Sequence, residues 1–204
     1  MSMTLTAKGA ATRARIVEGA AAQIREHGVA STTLDDVRAH TATSKSQLFH
    51  YFPGGKEELL LAVARFEADR VIAVQQPLLG ELTSLAAWSA WRDRLVEHYR
   101  EQGSRCPLNA VTAQLGRSSP GAREVVAALV DAWQREIAAG VRHMQRSGEF
   151  DERLDPDEAA AALLAGIQGG VLIMMSTGRS MHLEAALDIG IAALRRSDRP
   201  GRLP

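Results

Sequence analysis

The sequence predicts an all-α fold of about nine or ten helices, and three observations predict it. Apolar residues recur at helical spacing in almost every stretch between breaks, whereas no stretch shows the alternation that is typical of a strand. Gly, Pro and capping residues stand where these stretches begin and end. The composition is that of an ordinary globular protein, because 46% of the 204 residues are apolar and 24% are charged.

The first quarter of the chain predicts three short helices after a loose tail of about a dozen residues. The first helix is predicted to end at Gly28, because glycine readily adopts the left-handed backbone conformation that commonly terminates a helix. Thr33 can cap the second, and Ser44 and Gln47 have the spacing of a capping box at the start of the third. The predicted ranges are residues 12–27, 33–40 and 44–51.

The rest of the chain predicts further helices, several of them longer. A helix with a tryptophan stripe begins at Thr83 or Ser84, and an Ala-rich helix follows Asp155. Gly121 could divide the long segment before Gly148 into two helices. The remaining predicted ranges are residues 56–75, 105–116, 119–148, 156–177 and 183–196.

The net charge is zero overall, but the basic residues are concentrated at the amino-terminal end. Residues 1–56 hold seven Lys or Arg against four acids, and the remainder holds 17 against 20. Three short helices with a brief break before the third, inside a basic segment, are typical of a helix-turn-helix that reads DNA. Lys45 could then donate to guanine or phosphate, and Gln47 could pair with adenine.

The segment TTLDDVRAHTATSKSQLFHYFPGGKEELL, residues 32–60, resembles the DNA-binding domain of the TetR family of bacterial transcriptional regulators. The resemblance implies a homodimer that binds a palindromic operator on double-stranded DNA and usually represses. A small molecule entering the carboxyl-terminal domain would release it. On this basis we expect a helix-turn-helix domain at residues 1–56 and a larger helical ligand-binding and dimerisation domain at residues 57–204.

Three positions depart from the family pattern. Ala42 stands where the family commonly has a turn glycine, Thr43 where it has an apolar residue, and Phe49 where a tyrosine commonly touches phosphate. Other residues must then supply backbone contacts. The capping box alone would also explain Ser44 and Gln47. The predicted DNA-binding residues are Thr33, Thr43, Ser44, Lys45, Ser46, Gln47, His50, Tyr51 and Lys56.

Aromatic and sulfur-containing residues of the later helices have two interpretations. They could be core residues, or they could line an apolar pocket for a small apolar or aromatic effector. The segment CPLNAV, residues 106–111, is similar to a cysteine-containing helix in a subgroup that includes the LmrA and QdoR repressors. The predicted ligand-binding residues are Phe66, Trp88, Trp91, Cys106, Asn109, Trp133, Met144, Gln168 and Met174.

Small residues form a stripe along the Ala-rich helix, and this stripe predicts that another helix packs closely against it. With the helix before Gly148, it could form a four-helix seam between two subunits, or it could pack within one subunit. The same helix has no charge between residues 159 and 178, but its Ala and Gly content argues against a membrane span. The predicted dimer residues are Ala162, Gly166, Gly169 and Ile173.

Catalytic and metal-binding patterns are not found in the sequence. It has neither a nucleophile elbow nor a zinc-protease motif, and Cys106 is its one cysteine. We therefore expect no enzymatic activity, no cofactor and no metal. The single cysteine and the lack of a secretory pattern favour the cytoplasm. The alternative function is a helical-bundle carrier or enzyme that uses the tryptophan-lined pocket.

Overall fold

The computed structural model describes residues 6–103 and 119–195, together with Leu108, Val111 and Leu115 between them. Over these residues the regular structure is helical, apart from an isolated bridge between Phe150 and Arg195. The all-α prediction is confirmed. The described helices are α1 (Ala7–His27), α2 (Leu34–His40), α3 (Lys45–Tyr51), α4 (Gly55–Ala73), a 3₁₀ helix (Leu78–Glu81), α5 (Leu85–Gln102), α6 (Pro120–Arg146), α7 (Pro156–Thr177) and α8 (Met181–Leu194).

The helix boundaries follow local capping. The described part of the chain has eight α-helices, fewer than the nine or ten predicted, and most of the helix predicted at residues 105–116 lies outside it. The first helix begins at Ala7, earlier than predicted, because the Thr6 side chain accepts a 3.2 Å hydrogen bond from the Gly9 N–H. Gly121 does not divide the long segment, since α6 is continuous.

The chain forms two compact units. The first contains the residues up to Val71 and those from 105 to 129. Its core joins α1, α2, α3 and α4, and Val111 and Val125 pack into the same cluster. Ile16, Leu48 and Phe52 are fully buried there. The predicted boundary at residue 56 separates a DNA-binding domain from a ligand-binding domain. It stays a prediction, because the compact units are defined by packing and not by function.

The second unit contains residues 72–104 and 130–204. Trp88 packs edge-on against Trp91 at 5.8 Å and lies 5.3 Å from Phe150, measured between ring centroids. In the same unit α7 and α8 pack closely. A Cβ built on Gly170 would lie 2.5 Å from Leu183 Cα, so only glycine fits this crossing.

Among the described helices, α7 is long and apolar enough to cross a membrane by length and composition. Its residues Leu163, Ile167 and Met174 are buried within this fold. Asp155 caps it, accepting hydrogen bonds from the Asp157 and Glu158 N–H groups at 2.9 Å. The helix therefore has one face that packs in the core of this fold.

Candidate nucleic-acid interface

The starts of α2 and α3 are each fixed by a reciprocal pair of hydrogen bonds. The Thr33 hydroxyl accepts from the Asp36 N–H at 3.2 Å, and the Asp36 carboxylate accepts from the Thr33 N–H at 2.8 Å. Hydrogen bonds from the Thr33 hydroxyl and N–H hold the pKa of Asp36 below its ordinary value. At α3, Ser44 and Gln47 exchange two such bonds, both at 3.2 Å. These bonds set where each helix begins.

The turn between α2 and α3 is closed by threonine side chains. The Thr41 hydroxyl donates to the Val37 carbonyl at 2.7 Å, and the Thr43 N–H donates to the Arg38 carbonyl at 3.0 Å. Ala42 has a φ of 47°, in the left-handed region. Thr43, predicted to contact DNA, is instead only 5% exposed, and its hydroxyl bonds within the turn. Its side chain therefore holds the angle between the two helices.

The two faces of α3 differ sharply in burial. Leu48 and Phe52 are fully buried in the core of the first unit. Lys45, Ser46 and His50 are exposed, as are Ser44 and Gln47 at the helix start. Because the buried residues are four positions apart, they anchor one side of a short helix and leave the polar side to solvent. A short, rigidly held helix thus presents polar side chains to solvent.

The other predicted contact residues lie around α3. The Lys56 ammonium donates to the Val29 carbonyl at 3.4 Å and so ties α4 to the loop after α1. Tyr51 is half-buried, and its ring centroid lies 4.9 Å from that of His50. Thr33 is exposed, although its hydroxyl also donates to Asp36 at 2.6 Å.

Sequence reasoning missed Arg13 as a candidate. Its guanidinium carbon lies 5.1 Å from the centroid of the Phe52 ring, just after the last turn of α3. This places a fixed positive charge beside the carboxyl-terminal end of α3. No local pattern could have indicated it, because Arg13 and Phe52 are far apart in sequence. The excess of basic residues in this part of the chain was the only available signal.

The predicted ligand-binding residues do not form one described cluster. Trp88, Trp91, Trp133 and Met144 are fully buried in the second unit, and Met174 is 6% exposed. Phe66 belongs to the first unit and packs on its core, and Gln168 is exposed. Cys106 and Asn109 lie outside the described residues.

The buried tryptophans differ in their hydrogen bonding. The Trp91 indole N–H donates to Gln75 Oε1 at 2.9 Å. The indole N–H groups of Trp88 and Trp133 have no acceptor within the described structure. Buried donors usually find a partner, so these two indole groups are exceptions within the described residues. Within the described residues, no group of three His, Cys, Asp or Glu side chains could hold a metal ion.

Three of the four predicted dimer residues lie on the open side of α7. Ala162, Gly169 and Ile173 are exposed, and Gly166 packs against α8, where a Cβ built on it would lie 3.4 Å from Ala186 Cβ. The neighbouring α8 also exposes a large apolar side chain, Ile189, which is 71% exposed. Ala162 and Gly166 line one apolar groove together with Ile189, and this chain by itself leaves that groove in contact with water.

The described fold and the outward polar face of α3 define a helix-turn-helix protein of the kind that binds DNA. Residues 16–63 match the family model described as bacterial regulatory proteins, tetR family. Residues 84–189 match the model described as tetracyclin repressor-like, C-terminal domain. The chain belongs to the TetR family.

Similar proteins agree with this assignment. The chain is 38% identical over 204 residues to the HTH-type transcriptional repressor AcnR of Corynebacterium efficiens, covering 97% of this chain and 100% of AcnR. It is 32% identical over 145 residues to an uncharacterized HTH-type transcriptional regulator of Mycobacterium tuberculosis, covering 63% of this chain and 71% of the regulator.

Solved structures share the fold. A TetR transcriptional regulator from Chloroflexus aurantiacus is 27% identical, with a TM-score of 0.73, over 92% of this chain and 96% of that one. A complex of SmeT with triclosan is 22% identical, with a TM-score of 0.68, over 95% and 97% of the two chains.

The family assignment confirms the prediction of a ligand-responsive, DNA-binding transcriptional regulator that is not an enzyme. It does not favour the alternative of a helical-bundle carrier or enzyme. The resemblance to the LmrA and QdoR subgroup stays a prediction, because Cys106, Pro107, Asn109 and Ala110 lie outside the described residues.

Proposed function

We propose that this protein is a cytoplasmic, dimeric repressor that binds a palindromic operator through α3 and releases it when a small apolar effector binds. One observation carries the DNA-binding part of the proposal. Leu48 and Phe52 are fully buried while Lys45, Ser46 and His50 are exposed on the same short helix. A helix held in this way can enter the major groove without losing its position in the core.

The residues of the first turn have different roles in this proposal. Lys45 and Ser46 read base edges, since both are exposed and neither takes part in the capping box that joins Ser44 to Gln47. Gln47 can pair bidentately with adenine only by releasing its bond to the Ser44 N–H. That release costs about 0.5–2 kcal/mol, the usual contribution of a helix cap.

Contacts to the DNA backbone come from residues around α3. His50 and Arg13 flank its carboxyl-terminal end, where the Arg13 guanidinium is stacked over Phe52. Thr33, Tyr51 and Lys56 remain candidates at the edge of the surface, with Lys56 also anchoring Val29. We assign Thr43 to the turn rather than to DNA because its side chain is buried.

The dimer forms through the apolar surface of α7 and α8. Sequence reasoning paired α7 with the preceding helix, α6, but the exposure of Ile173 on α7 and Ile189 on α8 favours these two helices. Packing them against the same pair in a second copy gives a four-helix seam about a two-fold axis. To reach successive major grooves of a palindromic operator, the two copies of α3 must lie about 34–36 Å apart, one turn of DNA.

The effector binds in the aromatic core of the second unit. Trp88 and Trp133 support this because their buried indole N–H groups have no acceptor in the described structure. An apolar molecule with one or two acceptor atoms would satisfy them. The effector weakens DNA binding by the difference between its affinities for two conformations. It must bind more tightly to the conformation in which the two α3 helices cannot reach the operator together.

Selection from random DNA with the full-length protein, followed by gel retardation, tests the DNA-binding proposal. We expect Lys45→Ala combined with Gln47→Ala to abolish retardation. Arg135→Ala, which removes a charge from an exposed position in the second unit, should leave it intact. The logarithm of the association constant should also fall linearly with the logarithm of salt concentration, with a slope of about −0.9 per phosphate contact. Failure to enrich any sequence, or full retardation by the double variant, would contradict the proposal.

A further inference from the structure

Phe49 is a large apolar side chain that stands out on the polar surface of α3. It is 40% exposed, whereas Leu48 and Phe52 on the same helix are fully buried. In helical projection Phe49 falls between Lys45 and Ser46, the two residues that we assign to base edges. Exposure of an apolar phenyl ring to water at this position is unfavourable.

The Phe49 ring lies beside the start of α4. A Cβ built on Gly55 would lie 3.8 Å from Phe49 Cε1, so one edge of the ring faces a residue that has no side chain. A phenylalanine has only two side-chain torsions, so few torsions need to be fixed when its ring meets a partner. The exposed part of the ring is an apolar surface on the polar side of α3.

The chemistry of the duplex limits what this surface can recognise. A phenyl ring has no hydroxyl group and cannot donate a hydrogen bond to a phosphate or to a base edge. The 5-methyl group of thymine is the apolar feature that base pairs present in the major groove. Phosphate oxygens would leave the exposed ring next to charged atoms without any gain, and the C–H groups of deoxyribose are the same at every base pair and so carry no sequence information.

We propose that Phe49 makes a specific apolar contact with the 5-methyl group of a thymine, next to the base pair read by Lys45. This inference rests on the proposed function, in which α3 enters the major groove. Phe49 would thus add sequence specificity that polar residues cannot supply, because only a thymine offers a methyl group in that groove.

The test uses the operator recovered by selection with the full-length protein. Each thymine is replaced singly by deoxyuridine, which removes only the methyl group, and affinity is measured by fluorescence anisotropy at fixed salt. We expect one thymine per half-site whose replacement weakens binding about fourfold. This factor corresponds to the free energy gained by burying one methyl group. In Phe49→Ala the same replacement should have no effect, whereas Phe49→Tyr should keep the sensitivity.

Arg135→Ala is the control, since Arg135 is exposed in the second unit, has no proposed contact with DNA and should leave the methyl effect unchanged. Circular dichroism of each variant checks folding, which an exposed position should preserve. Equal methyl sensitivity of wild type and Phe49→Ala, or a selected half-site without thymine, would overturn the inference while leaving DNA binding intact. The absence of any selected sequence would overturn the proposed function as well.

Discussion

Replacing Gly170 with alanine should force α7 and α8 apart and destabilise the protein. A Cβ built on Gly170 would lie 2.5 Å from Leu183 Cα and 2.8 Å from Leu183 N. Both neighbours are backbone atoms, so no side-chain rotation can relieve the overlap. Gly169 offers a matched comparison, because a Cβ built there meets no atom within 4 Å.

The two variants differ in one energetic contribution. Each gains about 0.8–1 kcal/mol, because alanine favours a helix more than glycine does. Only Gly170→Ala also overpacks the helix crossing, for which the usual loss is about 1–3 kcal/mol. The difference in the free energy of unfolding should therefore be about 1–3 kcal/mol. At about 2–4 °C per kcal/mol for a chain of this size, Gly170→Ala should melt about 2–12 °C below Gly169→Ala.

Thermal and urea unfolding followed by circular dichroism measures this difference. Both variants should be compared at several protein concentrations, because subunit association makes the melting temperature depend on concentration. Gly169 lies on the proposed dimer surface, and the concentration series separates an effect on association from an effect on folding. If Gly170→Ala proved as stable as Gly169→Ala at every concentration, the close approach of Gly170 to Leu183 would not constrain this helix pair.

Ala42→Gly should stabilise the protein slightly. Glycine removes the strain of a left-handed alanine, about 1–2 kcal/mol, and this exceeds the cost of the greater conformational entropy of the unfolded chain, about 0.4–1 kcal/mol. Urea unfolding measures the change, and a lower midpoint would refute the prediction. Trp91→Phe should destabilise by about 1–3 kcal/mol, since Gln75 Oε1 loses a buried donor; an unchanged midpoint would contradict this. Glu67 lies in a buried contact with Arg25, and desolvation raises the pKa of its carboxyl above the ordinary value. The folded state therefore holds that proton more tightly than the unfolded state, so wild type should gain stability relative to Glu67→Gln as pH falls through the folded pKa toward 4.5. Unfolding of both proteins in urea between neutral pH and pH 4.5 measures this gain, and a constant difference would refute it.

Much of the candidate DNA-binding surface could be predicted from sequence because its geometry is local. The capping box at Ser44 and Gln47 joins residues three positions apart, and the burial of Leu48 with the exposure of Ser46 follows from helical periodicity. The early start of α1 at Ala7 escaped prediction, although Thr6 is a good cap, because the residues after it lack an apolar stripe.

The roles of other residues depended on partners distant in the sequence. Lys56 was predicted as a DNA contact from its position at the start of the fourth helix, and this stays a prediction; its bond to the Val29 carbonyl could not be predicted from the sequence. Gln168 was predicted in a pocket because it is polar on an apolar helix, yet it is exposed. In each case the sequence indicates the residue's chemistry, while its surroundings depend on how the helices pack.

The sequence by itself determined the helical class, most helix boundaries and the polar face of α3. These depend on hydrogen bonds and side-chain spacing within about one or two helical turns. Only the tertiary structure decided that Arg13 lies over Phe52, that Thr43 is buried and that Gly170 must be glycine beside Leu183. Each of these facts depends on which helix faces overlap, and that follows from the packing of the whole core rather than from any local pattern.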